Sequence, residues 1–266
     1  MVTKINLISK KKLKNPVLLV GLPGIGLVGK IAIDYLVNEL KPKPEKYAEI
    51  YSDSFPPAVH VKNSVMELIK DEIYFYSTKK RDILLLVGPV QPVLGNLLNN
   101  KEHYEFSETI ANFANKNNVK EIYTFAGLNV GDKRINNKPK VIGVCTTKNT
   151  KELIENKKIA NLFFDNANKD TLVSGVAGLL PSIASNLHNI SGVCLMGETN
   201  SQLTYGDPSS AKEVLEITLK LFELTVDLKT IMDSSKKIEQ SFSNITKNLE
   251  KMQNKEEPNN HSNYIR

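Results

Sequence analysis

Val17-Leu18-Leu19-Val20-Gly21-Leu22-Pro23-Gly24-Ile25-Gly26-Leu27-Val28-Gly29 is the stretch that decides the fold. The apolar run after Pro16 reads as a buried strand, and the glycines after it read as a tight turn. From Lys30 onward, Ile31, Ile33, Tyr35, Leu36 and Leu40 mark a helix that Pro42 and Pro44 bring to an end. Strand, glycine turn and helix form the opening unit of an α/β domain.

Downstream of this unit come five strand-like runs with no helix between them, at 47–51, 58–62, 65–69, 73–77 and 83–87. That spacing predicts hairpins or a meander, with Lys70-Asp71-Glu72 as one turn. Alternation then resumes. Helices are predicted at 105–116, 151–156 and 179–187, and strands at 119–125, 141–145 and 191–196. Pro208 opens a long helix with Asp207 as its N-cap. The sum is α/β, a mixed sheet with helices on both faces.

In the C-terminal part, Val214, Ile217, Leu221, Leu224, Leu228 and Ile231 step by three and four. Ile238, Phe242, Ile245, Leu249 and Met252 continue the stripe. The pattern predicts a helix over 208–251, about 65 Å long at 1.5 Å per residue, so part of it projects from the domain. Leu215, Leu219, Phe222 and Val226 widen the first half, as docking on a sheet requires. The second half keeps a narrow stripe that calls for another helix, from this chain or a second one. The Asp233-Ser234-Ser235 segment is a candidate hinge. The division that follows is 1–230 for the α/β domain, 231–255 for a projecting helical or coiled-coil arm, and 256–266 for a flexible polar tail tipped by Tyr264, Ile265 and Arg266.

The 266 residues are 41% hydrophobic and carry a net charge of +6. Lys4, Lys10, Lys11, Lys12 and Lys14 supply nearly all of that excess and read as a solvated leader next to the first strand, so no basic domain is left for nucleic acid. No apolar run approaches the roughly 20 residues of a membrane helix, and no signal peptide opens the chain. A cytoplasmic protein without membrane or nucleic-acid partners is expected. Cys145 and Cys194 sit in apolar strand-like runs and read as small buried hydrophobes. No spacing suggests a metal set or a cofactor.

The glycine turn contains Gly24-x-Gly26-x-x-Gly29, formally a dinucleotide fingerprint. The acid that such a site wants about 20 residues on is poorly placed, with Asp53 behind a proline-rich stretch. Lys30 is followed by Ile31, so it is no Walker A loop. A turn chosen for packing is the plainer reading. Asp53, His60, Glu67, Asp132, Arg134, Glu198 and Asp207 are scattered polar residues near expected strand ends. None forms a triad or a carboxylate pair. An enzyme is the weaker reading: a nucleotide or phosphorylated small molecule held at Gly24–Gly29, with Glu198 as acid or base.

The stretch from Gly21 to Gly29 closely resembles the opening motif of the proteasome assembly chaperone family. Phe55-Pro56-Pro57, the segment from Val173 to Leu180, and Gly197-Glu198-Thr199 followed by Asp207-Pro208 resemble later landmarks of that family, in the same order. Gly21, Pro23, Gly24, Gly26, Gly29, Gly197, Glu198, Thr199, Asp207 and Pro208 carry the resemblance, which runs from about residue 15 to residue 224. It implies a three-layer αβα sandwich similar to nucleoside phosphorylase-like folds, with no established catalytic site. It also implies a homo-oligomer that binds α-subunits of the 20S core particle, and a hydrophobic-Tyr-any tail that docks in α-ring pockets. Here Tyr264 is third from the end and Ile265 next to last, a departure from that tail pattern. Ile238, Phe242, Ile245, Leu249, Tyr264, Ile265 and Arg266 are the expected partner-binding residues. The expected function is association, not turnover.

Overall fold

The computed structural model describes residues 3–92, 101–131, 138–164, 172–201, 203 and 206–233. The central strand β2 (Val17–Gly21) is buried along its whole length, as is β7 (Asp82–Val87) beside it. Continuous apolar runs of this kind belong to strands covered on both faces. Val17 and Leu19 point into one core and Leu18 and Val20 into the other, as the two-residue repeat of a strand requires.

Among the described residues nine strands form one sheet. In chain order they are β1 (Lys4–Leu7), β2, β3 (Glu45–Tyr51), β6 (Asp71–Ser77), β7, β8 (Glu121–Asn129), β9 (Val141–Cys145), β10 (Leu162–Phe164) and β11 (Ser191–Thr199). Their spatial order is β1-β3-β6-β7-β2-β8-β11-β9-β10. The central four, β7-β2-β8-β11, run parallel, and the flanks are mixed. Helices α1 (Val28–Glu39), α3 (Lys148–Glu155) and α5 (Pro208–Phe222) pack on one face. Helices α2 (Lys101–Lys116) and α4 (Val176–His188) pack on the other. Strands β4 (Val59–Lys62) and β5 (Val65–Leu68) form a separate two-stranded ribbon. The expected α/β domain, a large mixed sheet flanked by helices, is what forms.

Three expectations change. The N-terminal residues are not a solvated leader: Lys4–Leu7 pairs antiparallel with β3 as an edge strand, and Lys11 bonds Glu45 at 2.7 Å. The Lys70-Asp71-Glu72 turn does not exist, because Asp71 and Glu72 already belong to β6 and pair with β3 and β7. The long helix stops at Phe222. Glu223 takes a left-handed conformation (φ 53°), and the N–H groups of Glu223 and Leu224 both bond the Leu219 carbonyl. This closes the helix end as a glycine normally would.

The chain then folds back over α1. The Tyr35 hydroxyl donates to the Asp227 carbonyl at 2.6 Å and lies 2.9 Å from Thr230 Oγ1. Leu224 and Ile231 enter the core, and Leu228 packs against it. Full burial of a side chain such as Ile231 is worth roughly 1.5–3 kcal/mol, which a helix running straight into solvent would forfeit. The remainder of the expected arm, 234–255, and the tail, 256–266, lie outside the described residues.

Asp71 is an acid inside the core. Neither carboxylate oxygen has a hydrogen-bond partner of good geometry among the described residues. The Val90 N–H and the Lys30 ammonium are its favourable neighbours, and Lys30 is already bonded to Asp34 at 2.6 Å. Burial pushes the Asp71 carboxyl well above the usual range. The folded state therefore holds a proton that the unfolded chain releases above pH 3.8. The associated stability is complete below that pH and is lost as pH rises toward the folded-state value. Asp71→Asn should match the parent near pH 4 and exceed it at pH 8 by at least about 2 °C in Tm. Thermal melts across that interval check this; an advantage that does not grow with pH would contradict it.

Candidate functional site

The glycine turn links β2 to α1 and forms part of the outer edge of the parallel strands. Gly24 sits in open space, whereas Gly26 is left-handed (φ 62°) and sits against Thr199. Gly21 and Gly29 are close-packing positions. A Cβ on Gly21 would overlap the Gly29 carbonyl oxygen, and one on Gly29 would overlap the carbonyl oxygen of Phe125 on β8. The turn thus lets α1 lie directly on the sheet, the role the plainer reading assigned to it.

The second motif locks onto the first. Thr199, at the end of β11, donates its hydroxyl to Asp207 Oδ2 at 3.0 Å. Asp207 Oδ1 accepts the Ser210 N–H at 3.0 Å and so caps α5, which Pro208 opens. The Asp207 N–H donates to the Gly26 carbonyl at 2.7 Å. Gly197 lies under the α5 N-terminus, against Ser210. The two sequence motifs are therefore two halves of one latch that joins β2–α1 to β11–α5. Glu198 is separate: its Oε2 accepts the Lys140 N–H at 2.9 Å.

A cleft of about 330 Å³ opens beyond the ends of β2 and β8. The chain leaves β2 toward β3 on one side and reaches β8 from β7 on the other, so this is the topological switch point of the sheet. Pro23, Gly24 and the start of α4 line it, together with Leu22, Phe125 and His103. The Thr124 hydroxyl pins the first turn of α4 through the Ala177 carbonyl at 2.6 Å. His103 is nearly fully buried, and that burial holds its pKa below the usual histidine range. Among the described residues no lysine or arginine lines the cleft, and neither does Glu198. The geometry does not bring together the glycine turn and the acid that the enzyme reading paired.

Of the other scattered polar residues, His60 and Glu67 face each other across the β4–β5 ribbon. Asp132 and Arg134 lie outside the described residues, as do Ile238, Phe242, Ile245, Leu249, Tyr264, Ile265 and Arg266. Cys145 and Cys194 are free thiols, and burial pushes both up to about 11, the behaviour of packing groups.

The ribbon is the surface that residue-type reasoning missed. The alternating pattern was legible as two strands, but not the absence of anything beneath them among the described residues. The Val59–Leu68 and Val61–Met66 pairs put four apolar side chains on one face. All eight ribbon residues are exposed, Met66 at 74% and Val61 at 66%. An isolated two-stranded ribbon is marginal in water, and a contiguous apolar patch of this kind marks an association surface.

The chain is 34% identical over 243 residues to the protein MJ1210 of Methanocaldococcus jannaschii, an alignment covering 90% of this chain and 86% of that one. The crystal structure of Pyrococcus furiosus PbaB, an archaeal proteasome activator, superposes with a TM-score of 0.79 at 28% identity, covering 92% of this chain and 99% of PbaB. Pyrococcus furiosus PbaA, an archaeal homolog of proteasome-assembly chaperone, shares the fold with a TM-score of 0.69 at 22% identity, over 94% of this chain and 100% of PbaA. The PAC2 family model matches residues 18–246, which span both halves of the latch, and the chain belongs to the PAC2 family.

Proposed function

We propose that the protein is a proteasome assembly chaperone-like factor that works in the cytoplasm as a homo-oligomer and binds α-subunits of the 20S core particle without catalysis. The observation that carries this reading is the bare apolar face of the β4–β5 ribbon, held out from a domain of the PAC2 family. Val59, Val61, Met66 and Leu68 offer affinity by burial, and His60, Lys62 and Glu67 on the other face keep the free protein soluble. Likeness to PbaB and PbaA supports the proteasome as client. In this reading the body, 1–230, carries the ribbon. The arm, 231–255, contributes Ile238, Phe242, Ile245 and Leu249 to assembly. The tail, 256–266, adds reach and effective concentration through Tyr264, Ile265 and Arg266.

The double variant Val61→Glu/Met66→Lys tests the ribbon. Both side chains are exposed, so the melting temperature should stay within about 2 °C of the parent. Capture of co-expressed α-subunits should fall at least tenfold, about 1.4 kcal/mol of binding. Undiminished capture by a folded double variant would remove the ribbon from the client surface.

A nucleotide- or phosphate-binding enzyme is the second reading, and the switch-point cleft is the observation in its favour. Among the described residues the lining offers a phosphate no lysine or arginine, so a thermal shift with ATP, GMP or inorganic phosphate is not expected.

A further inference from the structure

Helix α4 carries one unusually wide apolar stripe. Residues 172–187 contain no charged side chain. Val176, Leu180 and Ala184 pack on the sheet, as one face should. The flank next to that face, turned toward α2, presents Leu179, Ile183 and Leu187, and Tyr104 of α2 stands beside it. Leu187 is 59% exposed and Tyr104 55%. Between the two helices lies a groove of about 370 Å³. The exposed end of this stripe, Leu187 with Tyr104, is apolar surface continuous with the core-facing side chains, and a contiguous exposed apolar patch marks an association surface.

The polar groups on this face are already satisfied within the helix. The Ser182 hydroxyl donates to the Gly178 carbonyl at 2.8 Å, and the Asn186 amide donates to the Ser182 carbonyl at 2.8 Å. Covering the groove would leave neither of them without a partner, so the desolvation cost is low. Glu108 of α2 adds negative charge to the lining.

The same chain holds a matching unpartnered surface. Ile238, Phe242, Ile245, Leu249 and Met252 repeat at spacings of four and three. As a helix they would form one apolar stripe roughly 21 Å long, close to the length of α2 and α4. Residues 236–252 carry four lysines against two glutamates, opposite in sign to Glu108 of the groove.

We propose that the 236–252 segment of one copy docks as a helix in the α2–α4 groove of a second copy. Reach decides between the two sources of that segment. Ile231 is buried in the α1/α5 layer, on the far side of the sheet from α2 and α4. The helical layers of such a sandwich stand about 20 Å apart, at roughly 10 Å per packed layer. Only Ser234 and Ser235 stand between Asp233 and the start of the segment at Lys236, a span of at most about 11 Å, and the path round the sheet edge is longer than the direct one. A chain's own groove is out of reach, and a neighbour's is not. The proposal rests on the self-association in the functional reading above and gives it a contact.

The test uses the full chain with Phe242 replaced by p-benzoylphenylalanine, irradiated in its native assembly and digested for adduct mapping. A second arm measures the assembly of Tyr104→Lys/Leu187→Lys, whose positions are exposed and whose new charges repel the arm's lysines. Adducts joining position 242 of one copy to α2 or α4 of another, with self-association weakened at least tenfold in the double variant, establish the docking. Mixed heavy- and light-isotope copies identify which chain each adduct joins. Adducts within one chain, adducts on another surface, or a folded double variant that assembles like the parent overturn it. Failure of the parent to bind α-subunits while the adducts form as expected would sink the functional reading alone.

Discussion

Replacing Gly29 by alanine is expected to destabilise the protein by roughly 3 kcal/mol or more, a Tm loss of about 6 °C at least. The added Cβ would overlap the Phe125 carbonyl oxygen and its carbon, which are backbone atoms in the centre of the sheet. No rotamer change relieves that contact. Helix α1 would have to lift off β8, opening the core around Val28, Ile31 and Ala32, all fully buried. Gly24→Ala is the control in the same turn. Nothing lies near its would-be Cβ, and its backbone is extended (φ −160°, ψ −165°), so its melting temperature should stay within about 2 °C of the parent. If the turn instead served a bound phosphate and not helix packing, the two variants would melt alike.

Asp207→Ala should cost about 2–5 kcal/mol. Loss of the N-cap on α5 accounts for about 1–2 of this, and the buried Thr199 hydroxyl left without its acceptor adds about 1–3. Thr199→Val would remove the hydroxyl together with its need for a partner, so it should cost less than Asp207→Ala. In the double variant the losses should fall short of additive, because both residues belong to one network. Denaturant melts of the two singles and the double measure the coupling, and strict additivity would mean that the latch is not a unit.

The parts of the fold that were legible in the sequence are those written in continuous apolar runs. Val17–Val20 announced a strand covered on both faces, and the glycines after it announced a tight turn. Composition alone could not separate a packing turn from a phosphate cradle, since both need glycine. The distinction lies in what faces each Cα: Phe125 at Gly29, Thr199 at Gly26 and open space at Gly24. The family landmarks around Gly197-Glu198-Thr199 and Asp207-Pro208 were legible as motifs, but the hydrogen bonds that join Thr199, Asp207 and Gly26 exist only after folding.

The failures have physical causes too. Lys4-Ile5-Asn6-Leu7 reads as a basic leader because its strand character comes from pairing with β3, far along the chain. Lys70-Asp71-Glu72 carries three charges and reads as a turn, yet Asp71 is wholly buried. Past Phe222 the three-and-four spacing of Leu224, Leu228 and Ile231 persists, but in a chain folded back on α1. Apolar spacing records which residues want burial, not the backbone that delivers them. Glu223 closes the helix in a conformation usually left to glycine, so no stop signal stands at that point.

Native mass spectrometry of the full-length protein, alone and co-expressed with proteasome α-subunits, beside a truncation ending at Asn260, tests the central claim most directly. The account predicts a homo-oligomer that gains α-subunits and holds them less well without Tyr264, Ile265 and Arg266. A protein that remains monomeric, or that never acquires an α-subunit, would contradict it.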